Sequence, residues 1–309
     1  MSDKFEQNDG FYERKKRFES IEGVTIVEGE TLKKLQKILL EMLTDIVTVC
    51  DGNGIFYTLS GGSVLGAIRH KGFIPWDDDV DINMPRKDFE KLKKIFDSEL
   101  GSKYTLNTPE DTAGHGLSVS QIVKKNTVYR SYNELSKKDP GISIDIFVLE
   151  NDYDLAAART LQGLRCLFWG YLLSCRKTYE DMPYLRRYLR QDKELLGEFQ
   201  KKAKIGRIFR FISLDHLTRK TQKVYSMCGS DDTRYVSIPS GRKHFFGEMY
   251  RRRDMCTARK ASFEGLRVNI PRGTVRYMKA LYGDTYMQIP PAEKREHHPL
   301  MELDLGDGR

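Results

Sequence analysis

The chain has 309 residues, of which 39% are hydrophobic and 31% charged, a balance that excludes a disordered polymer and leaves ample material for a core. Lys and Arg number 52 against 44 Asp and Glu, a formal charge of +8 that makes phosphate-bearing or anionic-lipid partners plausible. Five cysteines, at 50, 166, 175, 228 and 256, form no CxxC pair and no even framework, which argues against a disulfide scaffold or a zinc knot and for a reduced, cytoplasmic setting.

The opening MSDKFEQNDG carries no basic-then-apolar leader, and no run of about 18 apolar residues reads as a membrane-crossing helix. Residues 1–29 read as an N-terminal arm. From Glu30 to Cys50 the apolar positions Leu32, Leu35, Leu39, Met42, Leu43 and Ile46 recur at helical spacing, and Asp51-Gly52-Asn53-Gly54 stops the helix. Ile55 to Leu59 predicts a short strand, and Ser60-Gly61-Gly62-Ser63 turns it into a short helix, VLGAIRH. Val80 to Met84 alternates as a strand, and RKDFEKLKKIFDSEL is a helix. Further strands are expected at 104–107, 118–123, 127–131 and 142–148. Beyond Asp152 the pattern is helical to about Arg234, and a mixed tail runs from Ser237 to Arg309. The division predicted is therefore an α+β catalytic core over 30–151, a basic helical insertion over 152–236, and a C-terminal segment over 237–309 that folds back on the core and completes the site.

The basic excess sits in the insertion. Between Arg159 and Lys220 there are 15 Lys/Arg and 6 Asp/Glu, a surplus of nine where the whole chain has eight. The same region opens with the apolar run LQGLRCLFWGYLLSC. Two readings stand: an interfacial helix on an anionic membrane, or a helical cover whose apolar side packs on the core. No nucleic-acid-binding motif accompanies the charge, and no nucleic-acid partner is expected.

The dense feature is GGSVLGAIRHKGFIPWDDDVDINM, Gly61 to Met84. Gly61-Gly62-Ser63 between a strand and a helix lets backbone N–H groups approach a phosphate, with the Ser63 hydroxyl as a further donor. Asp79 and Asp81 are two apart on a strand and share a face, while Val80 and Ile82 point to the core. Two carboxylates on one face form a platform for Mg²⁺, with Mn²⁺ as the alternative ion; an exposed acidic turn is the other reading. Asp145, in GISIDIFVLE, is a lone charge in an apolar strand and demands a partner, either that ion or a salt bridge.

Taken together, a Gly-Gly-Ser turn, an apolar-Asp-apolar-Asp strand and a later strand Asp resemble the nucleotidyltransferase superfamily, although the 15 residues between Ser63 and Asp79 make the spacing long. RHKGFIPWDDDVDI, with FEGLRVNIPRG and LYGDTYMQIPPAEKREHH in the tail, resembles the LicD family of phosphocholine transferases, related to the fukutin-type ribitol-phosphate transferases. The resemblance covers about 32–151 and 237–298 and implies a mixed sheet flanked by helices. It implies transfer of a phospho-alcohol, most simply phosphocholine from CDP-choline, to a sugar hydroxyl of a lipid-linked or glycan acceptor at the inner face of the plasma membrane, with release of CMP. Asp79, Asp81 and Asp145 would be catalytic: Asp79 and Asp81, with Asp77, would hold the metal, and Asp145 would be either a further metal ligand or the general base for the acceptor hydroxyl. Arg69, His70 and Lys71 would face the diphosphate, unless they only cap their helix. Tyr282, Lys294, Arg295 and His298 would close over the nucleotide; a zinc role for His297 and His298 lacks a third ligand. The alternatives are transfer of NMP from an NTP and a non-catalytic or nucleic-acid-binding module on a degenerate fold.

Overall fold

A computed structural model describes residues 16–306. Helix α1 (Gly29–Gly52) buries Leu32, Leu35, Leu39, Met42, Leu43, Ile46, Val47 and Cys50, one stripe at three- and four-residue spacing. Asn53 caps it through a backbone N–H to the Val49 carbonyl, and Gly54 leaves with φ +61°. The stripe lies against the central sheet, so truncating fully buried Leu39 to Ala is expected to cost about 2–5 kcal/mol.

The sheet is mixed and runs β1-β2-β6-β4-β3, with β7 continuing from the end of β6 and β8 from β7. Its strands are β1 (Thr58–Leu59), β2 (Asp81–Pro85), β3 (Tyr104–Asn107), β4 (Ser120–Lys124), β6 (Ser143–Asp152), β7 (Tyr235–Ser237) and β8 (Met249–Arg251). β2 and β6 are parallel neighbours, so the chain between them crosses over, and helix α3 (Arg86–Glu99) in that crossover packs on the sheet, as does α2 (Gly61–Arg69) between the antiparallel β1 and β2. β5 (Val128–Ser131) leaves the sheet and pairs with β11 (Leu300–Asp304), while β9 (Ala258–Phe263) and β10 (Leu266–Pro271) form their own hairpin. This is the expected α+β architecture, and β11 is the predicted return of the C-terminal segment onto the core.

Three helices follow β6: α4 (Ala156–Tyr188), α5 (Lys193–Ile208) and α6 (Leu214–Tyr225). They take part in three small clusters: one of Met182, Leu185, Leu189, Leu195 and Ala203 with Phe18 and Leu135, one of Cys166, Val224 and Tyr225 with Phe245, and one of Leu172, Leu173 and Leu217. A last helix, α7 (Thr274–Tyr282), lays Tyr277 and Met278 into the main core.

Some expectations shift. The glycines are not a turn before the helix: α2 begins at Gly61, so Gly61-Gly62-Ser63 is its first turn. The strand expected over 55–59 shortens to two residues, because the Ile55 amide is spent on the Cys50 carbonyl at the end of α1. β2 starts at Asp81, leaving Asp79 just ahead of it, and β6 runs on to Asp152. The arm expected at the N-terminus lies outside the described residues as far as residue 15.

Candidate active site

Parallel pairing sets the first distance of the site: Asp81 stands opposite Asp145 in the β2–β6 register, with Ile82 opposite Ile146. Ile82 and Ile146 are fully buried, so pleating sends both carboxylates to the other face, into a cleft. Asp81 is clamped from behind. Its backbone N–H donates to Ser63 Oγ at 2.9 Å, and Ser63 is buried. The serine expected to donate to a phosphate is thus buried, with its oxygen accepting from the strand. Gly61 keeps the cleft role. It adopts φ +43°, donates its N–H to Tyr277 Oη at 3.0 Å, and a Cβ there would lie 4.0 Å from Asp81 Oδ2. A Cβ on Gly62 would lie 3.2 Å from Asp77 Oδ2. The acids thus gather at the positive end of α2, where a helix favours negative charge.

Asp78 was not singled out by its sequence, yet it organises the cluster. It is buried, accepts from Tyr129 Oη at 2.8 Å, and lies 2.6 Å from His298 Nδ1. The other ring nitrogen of His298 is 3.8 Å from Asp79 Oδ2. The signal was available: Asp78 shares parity with core-facing Val80 and Ile82, so it belongs to the inward set.

Electrostatically the cluster is short of positive charge. Burial first, then Asp79 and Asp78, push the Asp77 carboxyl well above the usual range. Burial, then Asp79, Asp145 and Asp77, do the same to Asp81. Asp145 is raised by burial to about 6, held back mainly by Gln121, whose amide donates to Asp145 Oδ1 at 3.0 Å. That amide is oriented by buried Lys137, which donates to Gln121 Oε1 at 2.5 Å and pairs with Glu134 at 2.7 Å. Among the described residues no three acid, imidazole or thiol side chains already close on a single point. Carboxylate oxygens in charge excess along a cleft are the donor type that a hard divalent cation takes one or two at a time, its sphere completed by water and phosphate.

Two cavities meet at these acids. The larger, about 370 Å³, is walled by Asp145, Gln121, Glu134 and Tyr129 on the core side and by Lys177, Asp181 and Lys202 from α4 and α5. The smaller, about 180 Å³, is walled by Gly61, Gly62, Asp77, Arg242, Lys243 and Tyr282. Asp79, Asp81 and His298 line both. Arg242 and Lys243, which no sequence motif pointed to, are held by Glu296 (2.8 Å) and by the Ala280 carbonyl (2.5 Å); their only sequence signal is a second Ser-Gly turn, Ser240-Gly241, ahead of two cations.

The remaining candidates stand elsewhere. Arg69 donates to the carbonyls of Tyr286 (3.1 Å) and Gln288 (3.0 Å), so it pins the C-terminal segment and lines neither cavity. His70 meets Trp76 edge-on, and Lys71 is exposed at φ 62°, where its carbonyl accepts from the Glu264 amide. Lys294 is exposed in a 3₁₀ turn, and Arg295 stacks over Trp76 at 4.3 Å. His297 lies with Trp76 and Arg295 in a separate hollow, which removes it from any shared ligand set with His298.

Residues 54–161 match the LicD/FKTN/FKRP nucleotidyltransferase domain. The chain is 27% identical over 284 residues to the lipopolysaccharide cholinephosphotransferase LicD of Haemophilus influenzae, covering 88% of this chain and 97% of that protein. The human and mouse ribitol 5-phosphate transferases FKRP are each 39% identical over 66 residues, 21% of this chain and 13% of theirs.

Proposed function

The chain belongs to the LicD family, and from that premise we propose that it moves a phospho-alcohol from a CDP-alcohol, CDP-choline first among them, to a sugar hydroxyl of a glycan. The observation that carries this reading is the division of the acids between two joined cavities. Asp77 faces only the smaller, Asp145 only the larger, and Asp79 and Asp81 face both. A donor with its phosphates at the α2 N-terminus and beside Arg242 and Lys243 would present its outer phosphorus at the shared wall. An acceptor in the larger cavity, among Gln121, Tyr129, Lys177 and Asp181, would bring its hydroxyl to the same wall from the other side.

In this reading the acceptor oxygen bonds to the phosphorus that carries the alcohol. The bond from that phosphorus to the CMP oxygen breaks, and CMP leaves with the electron pair. Asp145 receives the hydroxyl proton; a carboxyl raised to about 6 is ionised at neutral pH and close enough to accept it. Asp79 and Asp81, with Asp77 from the donor side, would hold Mg²⁺, which supplies charge neutralisation on the diphosphate. Gly61 and Gly62 leave the phosphates room to approach the backbone, and Arg242 and Lys243 offer cations to the leaving CMP.

Thermal stabilisation tests the donor. At a hundred times Kd a ligand adds about 2.7 kcal/mol of apparent stability. CDP-choline or another CDP-alcohol with Mg²⁺ is expected to raise Tm, and CTP to do less. Stabilisation by CTP with none by any CDP-alcohol would favour NMP transfer instead.

A further inference from the structure

Helix α4 has two different faces. Gly170, Leu173, Ser174, Lys177, Thr178 and Asp181 line the larger cavity. On its N-terminal half, Leu161, Leu164, Phe168 and Tyr171, spaced by three, four and three residues, form one stripe in solvent; Leu164 is 54%, Phe168 60% and Tyr171 57% exposed. The turn after α5 extends the stripe. Phe209 shares a cluster with Trp169, Leu172 and Leu173, and a Cβ on Gly206 would sit 2.1 Å from the Cys175 carbonyl oxygen, so this turn lies directly on that half of α4. It carries Ile208 at 66% and Phe211 at 78% exposure. An apolar band on this scale, away from the core, marks an interaction surface.

The charge around it names the partner. Residues 155–179 and 199–214 contain nine Lys and Arg and not one Asp or Glu; Arg176 and Lys177 are buried and paired with Glu180 and Asp181, and the surface charge comes from the others. Exposed Arg165, Lys204, Arg207 and Arg210 flank the band, and none makes an ion pair among the described residues. Aromatic and leucine side chains ringed by unpaired cations match the boundary of an anionic bilayer, where rings enter the headgroup region and cations meet lipid phosphate. No helix among the described residues is long and apolar enough to cross a membrane, so contact is on the surface. We infer that the N-terminal half of α4 and the α5–α6 turn form a docking surface for an anionic lipid bilayer. Tyr171 is one residue from Gly170 at the cavity wall, so docking sets the mouth of the larger cavity beside the lipid. The inference stands on exposure and charge and does not depend on the chemistry of the cleft.

Co-sedimentation of the full chain with vesicles tests it. Binding is expected to vesicles of phosphatidylglycerol mixed with phosphatidylcholine, not to phosphatidylcholine alone, and to weaken as salt rises. R207E/R210E is expected to lower the partition by about thirty-fold and F168S/F211S by about tenfold. R186E/R187E, whose exposed cations lie roughly 28 Å further along α4, is expected to bind as wild type does. All four substituted residues of the first two variants are exposed, and unchanged circular-dichroism melts verify folding. The inference is overturned if wild type ignores anionic vesicles, if neither patch variant loses binding, or if R186E/R187E loses as much. It is equally overturned if light scattering shows a dimer that F168S/F211S dissolves, which would make the band a contact between copies.

Discussion

Replacing Asp81 with Asn should make the protein more stable and inactive at once. The side chain keeps its size while one of five clustered carboxylates loses its charge. Adjacent strands are about 4.8 Å apart, so Asp81 and Asp145, in register across β2 and β6, stand close. Two unit charges at about 5 Å and an effective dielectric near 20 repel by about 3 kcal/mol. Partial protonation and water in the cleft reduce this, leaving an expected gain of about 1–2 kcal/mol, or about 2–4 °C in Tm for a chain of this size. The sign with pH follows from the raised folded pKa of Asp81. The folded state holds its proton longer than the unfolded chain, so wild-type stability falls as pH rises above about 4, and the advantage of D81N grows over that range and vanishes below it. The assay is differential scanning fluorimetry at pH 8 in chelator and in Mg²⁺, beside CMP release from CDP-choline. D81N is expected to melt higher than wild type in chelator, to gain less from Mg²⁺, and to lose turnover. A variant that melts no higher in chelator, or gains as much from Mg²⁺ as wild type, would refute the reasoning.

Ser63→Ala removes the acceptor of the Asp81 amide and should cost about 1–3 kcal/mol in urea unfolding, with turnover falling because the carboxylate loses its fixed position. Gln121→Leu frees Asp145 from its oriented donor and leaves buried Lys137 with Glu134 alone; steady-state kinetics should show kcat falling more than tenfold with the donor KM nearly unchanged. Asp152 is fully buried, with Oδ2 unpartnered and its carboxyl raised by burial to about 7. Ionising it costs the folded state stability between about pH 4 and pH 7, so Asp152→Asn should stabilise by about 2 kcal/mol at pH 8 and by nothing at pH 4; equal melts at both pH values would count against it.

The parts of the fold that rest on local pattern were legible. The stripe of α1 and the alternation of β3, at Tyr104–Asn107, read directly from spacing, and so did the inward parity of Val80 and Ile82. What was not legible depends on distant partners. β11 pairs with β5 across some 170 residues, and nothing in Leu-Met-Glu-Leu-Asp announces that strand's neighbour. At the site, the acids could be placed on a face because pleating obeys a period of two. Ser63 could not be assigned, because its partner is a backbone amide brought to it by the β1–β2 pairing. Arg69 reads from sequence as a phosphate ligand or a helix cap, and only the folded path of the tail shows it donating to two carbonyls there.

The most direct test of the central claim is the product formed. The full chain is incubated with CDP-choline, Mg²⁺ and a glycan acceptor, and nucleotide products are separated. CMP should accumulate in step with phosphocholine on the acceptor, with no pyrophosphate from CTP, and Asp145→Asn should abolish transfer while leaving CDP-choline binding intact. Absence of CMP with every CDP-alcohol, or transfer undiminished in Asp145→Asn, would contradict the account.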